Sequence, residues 1–202
     1  ISSGSGAGGI SDEQQTRVDT WANSSRTGNV LYIDQVGENN TVGIDQTGTN
    51  RLDMNISGNN NAISSFQTNS NYLKMEVPGW GNNVTTNQTV SNYAETKIQG
   101  NGNTVNHTQT GNHILFSSIT GDINTVTTTQ TGTASHFLDV KLTGNNNSAL
   151  VEQSGNLPNK ANIDLTNAGG PATLDLQQTG GKNFTIIQSC TNPAGCVTTV
   201  RQ

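Results

Sequence analysis

Three histidines, two cysteines, two neighbouring aspartates and a Gly-Gly-Lys triplet are the residues of this chain best suited to chemistry. Acid–base or metal chemistry needs such groups to converge within hydrogen-bond or coordination reach. His107, His113 and His136 do not converge in the repeat described below. Only the first two are near in sequence, across a turn, and all three read as surface or turn residues. Asp34 and Asp45 lie half a repeat apart and no acidic column continues beyond them, so cleavage of acidic polysaccharides is not expected. Gly180-Gly181-Lys182 has neither the glycine spacing nor the following helix of a phosphate loop. Thr127 and Thr129 form an outward pair of the ice-binding type. Their equivalents, Asn106/Thr108 and Thr85/Asn87, do not extend it into an array. The expected inventory is therefore no catalytic residue, no cofactor, no metal and no enzyme.

Cys190 and Cys196 flank Thr-Asn-Pro-Ala-Gly, a turn-forming loop. A disulfide there would close a small ring near the C-terminus, with two free thiols as the alternative. Trp80, in Pro78-Gly79-Trp80-Gly81, is either an exposed contact or a cap on its own turn. Tyr32, Phe66 and Phe137 fall at outward positions or near turns and are read as lateral contacts.

The elements that place these residues are set by repetition. Glutamine returns every 21 residues at Gln46, Gln67, Gln88, Gln109 and Gln130, and an apolar residue keeps the same step at Ile56, Val77, Ile98 and Ile119. A fixed period of this length marks stacked copies of one supersecondary unit. Counted from the apolar anchor, Gly stands at +2, Asn at +5, an aliphatic residue at +7 and Gln at +11. Ile56, Gly58, Asn61, Ile63 and Gln67 make one copy. The next is Val77, Gly79, Asn82, Val84 and Gln88, followed by Ile98, Gly100, Asn103, Val105 and Gln109. Ile119, Gly121, Asn124, Val126 and Gln130 then precede Leu142, Gly144, Asn147, Ala149 and Gln153. The earliest copy, Gln35, Gly37, Asn40, Val42 and Gln46, opens on glutamine.

The other half of the unit alternates apolar residues, as in Leu52-x-Met54-x-Ile56 and Leu138-x-Val140-x-Leu142, the signature of a strand with one buried face. Later members of the series are Leu165 and Gln178. Gly48, Gly111, Gly132 and Gly155 stand two residues after a glutamine, where a tight turn needs left-handed backbone. Asn69 takes that place after Gln67 and Asn167 the equivalent place after the strand end at Leu165, and Val90 breaks the rule after Gln88, so its turn is expected to differ. Two-residue insertions fall after Gln130 and Gln153, and a further one in Asn167–Ala172, all in loops.

These features predict an all-β, cross-β-like solenoid over residues 29–202, with strand-turn-strand rungs of about 21–23 residues and about eight rungs. Residues 1–28 read as a flexible Gly/Ser-rich segment, with Val18 and Trp21 as anchors on a neighbour. Aliphatic columns fill the interior: Leu52 to Leu115, Met54 to Val140, Ile56 to Leu165 and Val42 to Ala149. The Asn column (Asn40 to Asn147) and the Gln column also face inward, and buried amides are costly unless paired. In register each amide donates to one neighbour and accepts from the other, which explains glutamine at every repeat. The expected amide ladder comprises Gln35, Gln46, Gln67, Gln88, Gln109, Gln130, Gln153 and Gln178, with the asparagines from 40 to 147.

Composition agrees with a thin core: 30% hydrophobic and 11% charged residues, against roughly 45–50% and about 25% in globular domains. A net charge of −5 without a basic patch argues against nucleic acid. No stretch approaches the roughly 20 apolar residues of a membrane span. A chain starting at Ile1 without an apolar signal core reads as a processed secreted product.

The run Gln35-x-Gly37-x-x-Asn40-x-Val42-x-x-x-Gln46 resembles the curlin repeat of curli amyloid subunits, with serial copies from Asn29 to about Gln188. The Gly/Ser-rich start is similar to the unstructured leader before curlin repeats. The first glutamine of the motif is Ile, Val or Leu in five of the six copies, and the cysteine pair is outside the pattern. The resemblance implies secretion across an outer membrane and end-to-end self-polymerisation into a cell-surface or biofilm-matrix fibre for adhesion. A surface nucleator and other matrix components are the remaining partners. The competing expectation is a non-polymerising solenoid module of a viral appendage or surface adhesin.

Overall fold

The computed structural model describes residues 10–25 and 27–202. Among these residues one helix, α1 (Asp12–Ala22), precedes eighteen strands. The first nine are β1 (Val30–Leu31), β2 (Gln35–Val36), β3 (Thr41–Gly48), β4 (Arg51–Asp53), β5 (Ile56–Ser57), β6 (Ala62–Asn69), β7 (Tyr72–Glu76), β8 (Asn83–Val90) and β9 (Tyr93–Gln99). The others are β10 (Thr104–Gly111), β11 (Ile114–Thr120), β12 (Thr125–Thr131), β13 (Phe137–Thr143), β14 (Ser148–Ser154), β15 (Lys160–Asn167), β16 (Ala172–Thr179), β17 (Asn183–Cys190) and β18 (Cys196–Arg201).

Successive long strands alternate between two parallel eight-stranded sheets. One runs β1-β4-β7-β9-β11-β13-β15-β17 and the other β3-β6-β8-β10-β12-β14-β16-β18, while β2 and β5 form a short two-stranded sheet. Pairing joins residues one repeat apart, such as Val84 with Val105 and Leu115 with Leu138, so the chain is a β-solenoid of about eight turns. The predicted insertions change nothing in the columns: Gln130 pairs with Gln153, and Gln153 with Gln178. The extra residues lie in the turns between β12 and β13, β14 and β15, and β15 and β16.

The period-two pattern turns Leu52, Met54 and Ile56, with their successors, toward the columns headed by Val42, Ile44 and Gln46 on the facing sheet. The anchors Ile56, Val77, Ile98, Ile119, Leu142 and Leu165 are fully buried. So are Val84, Val105 and Val126, with Ile63 and Ala149 nearly so, while Val42 at the stack's first rung is partly buried. A core two side chains thick suffices for a chain with few apolar residues.

Helix α1 corrects the expectation of a flexible segment over 1–28. Ser11 caps it through the Gln14 amide N–H, and the Gln14 side chain accepts from the Ser11 N–H, a complete capping box. Ile10, Val18 and Trp21 are buried on the outer face of the β1-containing sheet, against Tyr93, Ile114, Phe116 and Phe137. Arg17 fixes the docking by bridging Glu13 and Glu95, and Gln14 Nε2 donates to Asp139 at 3.0 Å. Val18 and Trp21 are anchors as expected, but on the chain's own solenoid. Phe137 points outward yet lies beneath the helix, so it is no lateral contact, whereas Tyr32 and Phe66 are exposed. The Gly/Ser stretch at 1–9 lies outside the described residues.

Candidate functional site: amide ladders and open ends

Glutamine side chains at 46, 67, 88, 109, 130, 153 and 178 form one continuous chain of hydrogen bonds. Each Nε2 donates to the Oε1 of the next, at 2.6 to 2.9 Å. From Gln67 onward the residues are fully buried or nearly so. The ladder has direction: every donor points toward the C-terminal end. At that end Gln178 Nε2 turns instead to the carbonyls of Lys160 and Lys182. Gln35 is not a member, correcting its expected place. It pairs with Ile56, in the anchor column, because it precedes Gln46 by half a repeat.

The asparagines do more than the glutamines. Asn61 donates its backbone N–H and its Nδ2 to Asn40 Oδ1, at 2.9 and 3.1 Å, and Nδ2 also reaches the Gly79 carbonyl. The side-chain oxygens of Asn61, Asn82, Asn103 and Asn124 each receive the backbone N–H of the next column member, ending at Asn147. The corner carbonyls accept from the strand N–H of the neighbouring rung, while the corner N–H groups go to the side-chain oxygens, so the side chain closes the turn and links the rungs together.

A second corner column was missed in the sequence. Asn29, Asn50, Asn71 and Asn92 repeat the same bonding at the opposite corner. It continues through His113 and His136 to Asn159, which takes the N–H groups of Gly181 and Lys182. The Gly-Gly-Lys triplet is thus a rung turn. His113 N–H donates to Asn92 Oδ1, and His113 Nδ1 accepts the His136 N–H at 3.2 Å. Nε2 of each ring lies 2.9 Å from a turn carbonyl, Thr110 or Thr131. That pattern assigns the neutral Nε2–H tautomer, an acceptor and a donor placed like the two ends of an asparagine amide. The rings stack 4.8 Å apart, 11° from parallel.

All three histidines are buried, which corrects the surface half of the expectation, while His113 and His136 do lie at turns between strands. Burial pushes His113 down to about 4 and lowers His136. His107 sits in the column Ser65, Thr86, His107, Thr128, with Nδ1 2.7 Å from Thr128 Oγ1. Full burial drives it down to about 3. The three side chains serve packing and corner bonding, and no acid–base pair is assembled.

The turn glycines meet their expected geometry: Gly37, Gly48, Gly58, Gly79, Gly100, Gly111, Gly121, Gly132, Gly144 and Gly155 all have positive φ. At Gly79 (φ 130°) a Cβ would also run into the carbonyl of Gly100, the next rung's equivalent. Val90 corrects a prediction. Its turn does not differ, since Val90 pairs with Asn69 and Gly111 and takes the same left-handed backbone at φ 86°. Asn167 does not have positive φ. Instead its side chain fills the space above Gly144. A further left-handed column, Asn39, Asn60, Gly81, Gly102, Ile123 and Asn146, carries φ of 55° to 63°. Trp80 is 64% exposed, and its backbone N–H donates to Asn101 Oδ1.

At the ends of the stack the inward columns meet solvent. Leu31, Val42, Ile44 and Gln46 form one end, and Phe184, Ile186, Gln188 and Val200 the other; all are only partly buried or exposed. Cys190 and Cys196 are disulfide-bonded, as expected, and tie β17 to β18 where Ala172 and Cys196 replace asparagine in the corner column. Among the described residues no group of three or more His, Cys, Asp or Glu is placed to hold a metal. No described helix is long and apolar enough to cross a membrane.

No family model, curated protein or solved structure matches this chain.

Proposed function

We propose that this chain is a structural subunit of an extracellular, curli-like fibre that lengthens head to tail by strand stacking. The carrying observation is the pair of open ends, each presenting unpaired strand edges and inward apolar side chains in the same columns. A head-to-tail contact between such ends does not close, so growth has no fixed length. Serial curlin-like repeats support the same reading, as does the ladder's single direction, since two copies joined by their β1/β3 ends would set the Gln46 acceptor against its like. Adhesion and matrix building follow from fibre formation, with the chain itself as its principal partner.

The disulfide favours a second reading, a solenoid binding module on a viral appendage or adhesin. A covalently pinned last rung is suited to capping a stack. Electron microscopy of the purified chain separates the two. Unbranched fibres are expected, and a population that stays monomeric or closes into small rings at high concentration contradicts polymerisation.

A further inference from the structure

We infer that the end formed by β17 and β18 receives the β1/β3 end of a second copy in one register, with Gln188 over Gln35, Gln202 over Gln46 and Arg201 over Asp45. This deepens the fibre reading and rests on it. The anchor column reads Gln35, Ile56, Val77, Ile98, Ile119, Leu142, Leu165, Gln188. Its six inner members are aliphatic and it carries an amide at each end. Gln188 Oε1 is buried without a hydrogen-bond partner, and Gln35 is exposed. An isolated amide at the end of an apolar column gains nothing from its position. Two that meet across a junction pair as the other glutamines do.

The neighbouring columns agree. Gln202 lies level with Gln178, because its N–H donates to the Gln177 carbonyl and its own carbonyl accepts from Thr179. It therefore stands in the glutamine column on the last described rung, beyond Gln178, whose own Nε2 bonds the Lys160 and Lys182 carbonyls. Gln46 begins that ladder with its Nε2 already donating inward, leaving Oε1 toward the open end. The same register sets Phe184 over Leu31, Ile186 over Ile33 and Val200 over Ile44. Outside, Asp45 and Arg201 are the two ends of one outward column. Head-to-tail addition brings opposite charges together, whereas joining like ends opposes like charges. Arg201 already bonds Asp175 at 2.7 Å, and a guanidinium has donors to spare for a second carboxylate. A slip of one residue would turn every inward side chain outward, and a slip of two would separate all of these pairs.

Cysteines report the register. Adjacent rungs lie about 4.8 Å apart, within the roughly 4.4–6.8 Å Cα range of a disulfide. Fibres of a chain carrying Asp45→Cys and Arg201→Cys, mildly oxidised, are expected to give a ladder of covalent multimers on a non-reducing gel. The pair Asp45→Cys and Thr199→Cys, displaced by two residues, is expected to give none. Fibres that cross-link only through the displaced pair, or through neither, overturn the register and leave the fibre reading standing. Absence of fibres from the unmodified chain overturns both. If the cysteine chains fail to assemble, charge reversal decides. Asp45→Arg should lose elongation and Asp45→Arg/Arg201→Asp should regain it, and undiminished growth of the single variant contradicts the proposal.

Discussion

His113 and His136 work as asparagines with rings, and their chemistry sets the acid sensitivity of the stack. Both rings accept backbone N–H groups on Nδ1, so a proton there would face a donor as well as a buried site. The unfolded chain takes up protons near pH 6.5, while the folded chain resists until about 4 at His113 and about 3 at His107. The unfolded state therefore binds more protons in that window, and stability falls as pH drops, by up to about 1.4 kcal/mol per pH unit for each histidine held neutral. His113→Asn/His136→Asn should restore the corner column and make the loss between pH about 6.5 and about 4 shallower, leaving the part due to His107, read by urea unfolding across that range. Val90 and Ile123 are β-branched residues held at φ 86° and 59°. Val90→Gly and Ile123→Gly should each raise stability by about 1 kcal/mol, whereas Gly79→Ala should cost at least about 2 kcal/mol through backbone strain and collision. The glutamine period was legible because nothing interrupts it from 46 to 130. The second asparagine column was obscured where His113 and His136 replace the amide, although Asn50, Asn71 and Asn92 keep the same 21-residue step.

At the level of elements, each strand is held by the ladders at its ends as much as by its apolar face. Gln109→Ala in the middle of the ladder deprives Gln130 Oε1 of its partner there, and Gln88 Nε2 of its shorter bond. With the cavity added, the expected loss is at least about 3 kcal/mol. Gln46→Ala, at the exposed end, disturbs one partner only and should cost clearly less by the same denaturation measurement. Helix α1 was the element hardest to read. Its eleven residues bury only Val18 and Trp21, and their target is an aromatic strip that forms only once the rungs stack Tyr72, Tyr93, Phe116 and Phe137. The visible signal was the capping sequence Ser11-x-x-Gln14. Trp21 packs its ring 5.6 Å from Tyr93. Trp21→Ala should release the helix and leave the solenoid folded. Hydrogen exchange would then rise over 12–22 and stay slow in the central strands, and loss of protection throughout would contradict this division.

Over the described residues the molecule is one stack whose outermost strands, β1 and β3 at one end and β17 and β18 at the other, have a neighbour on one side only. Period, columns and loop insertions were readable from residue types alone, because in a solenoid one repeat dictates the register of the next. The outer covering was not, since α1 follows no repeat. One face of the stack is therefore closed by the helix and charged pairs, while the other outer face carries no charged residue in β6, β8, β10 and β12 and is covered by none of the described elements. The proposed growth along the stack would use neither face. The axial rise per chain in an assembled fibre tests this most directly, measured by electron cryomicroscopy with helical reconstruction. Eight rungs at about 4.8 Å predict a rise of roughly 38 Å per chain, with both sheets continuous across each junction. Fibres whose chains lie side by side, or whose rise bears no relation to eight rungs, would contradict head-to-tail stacking.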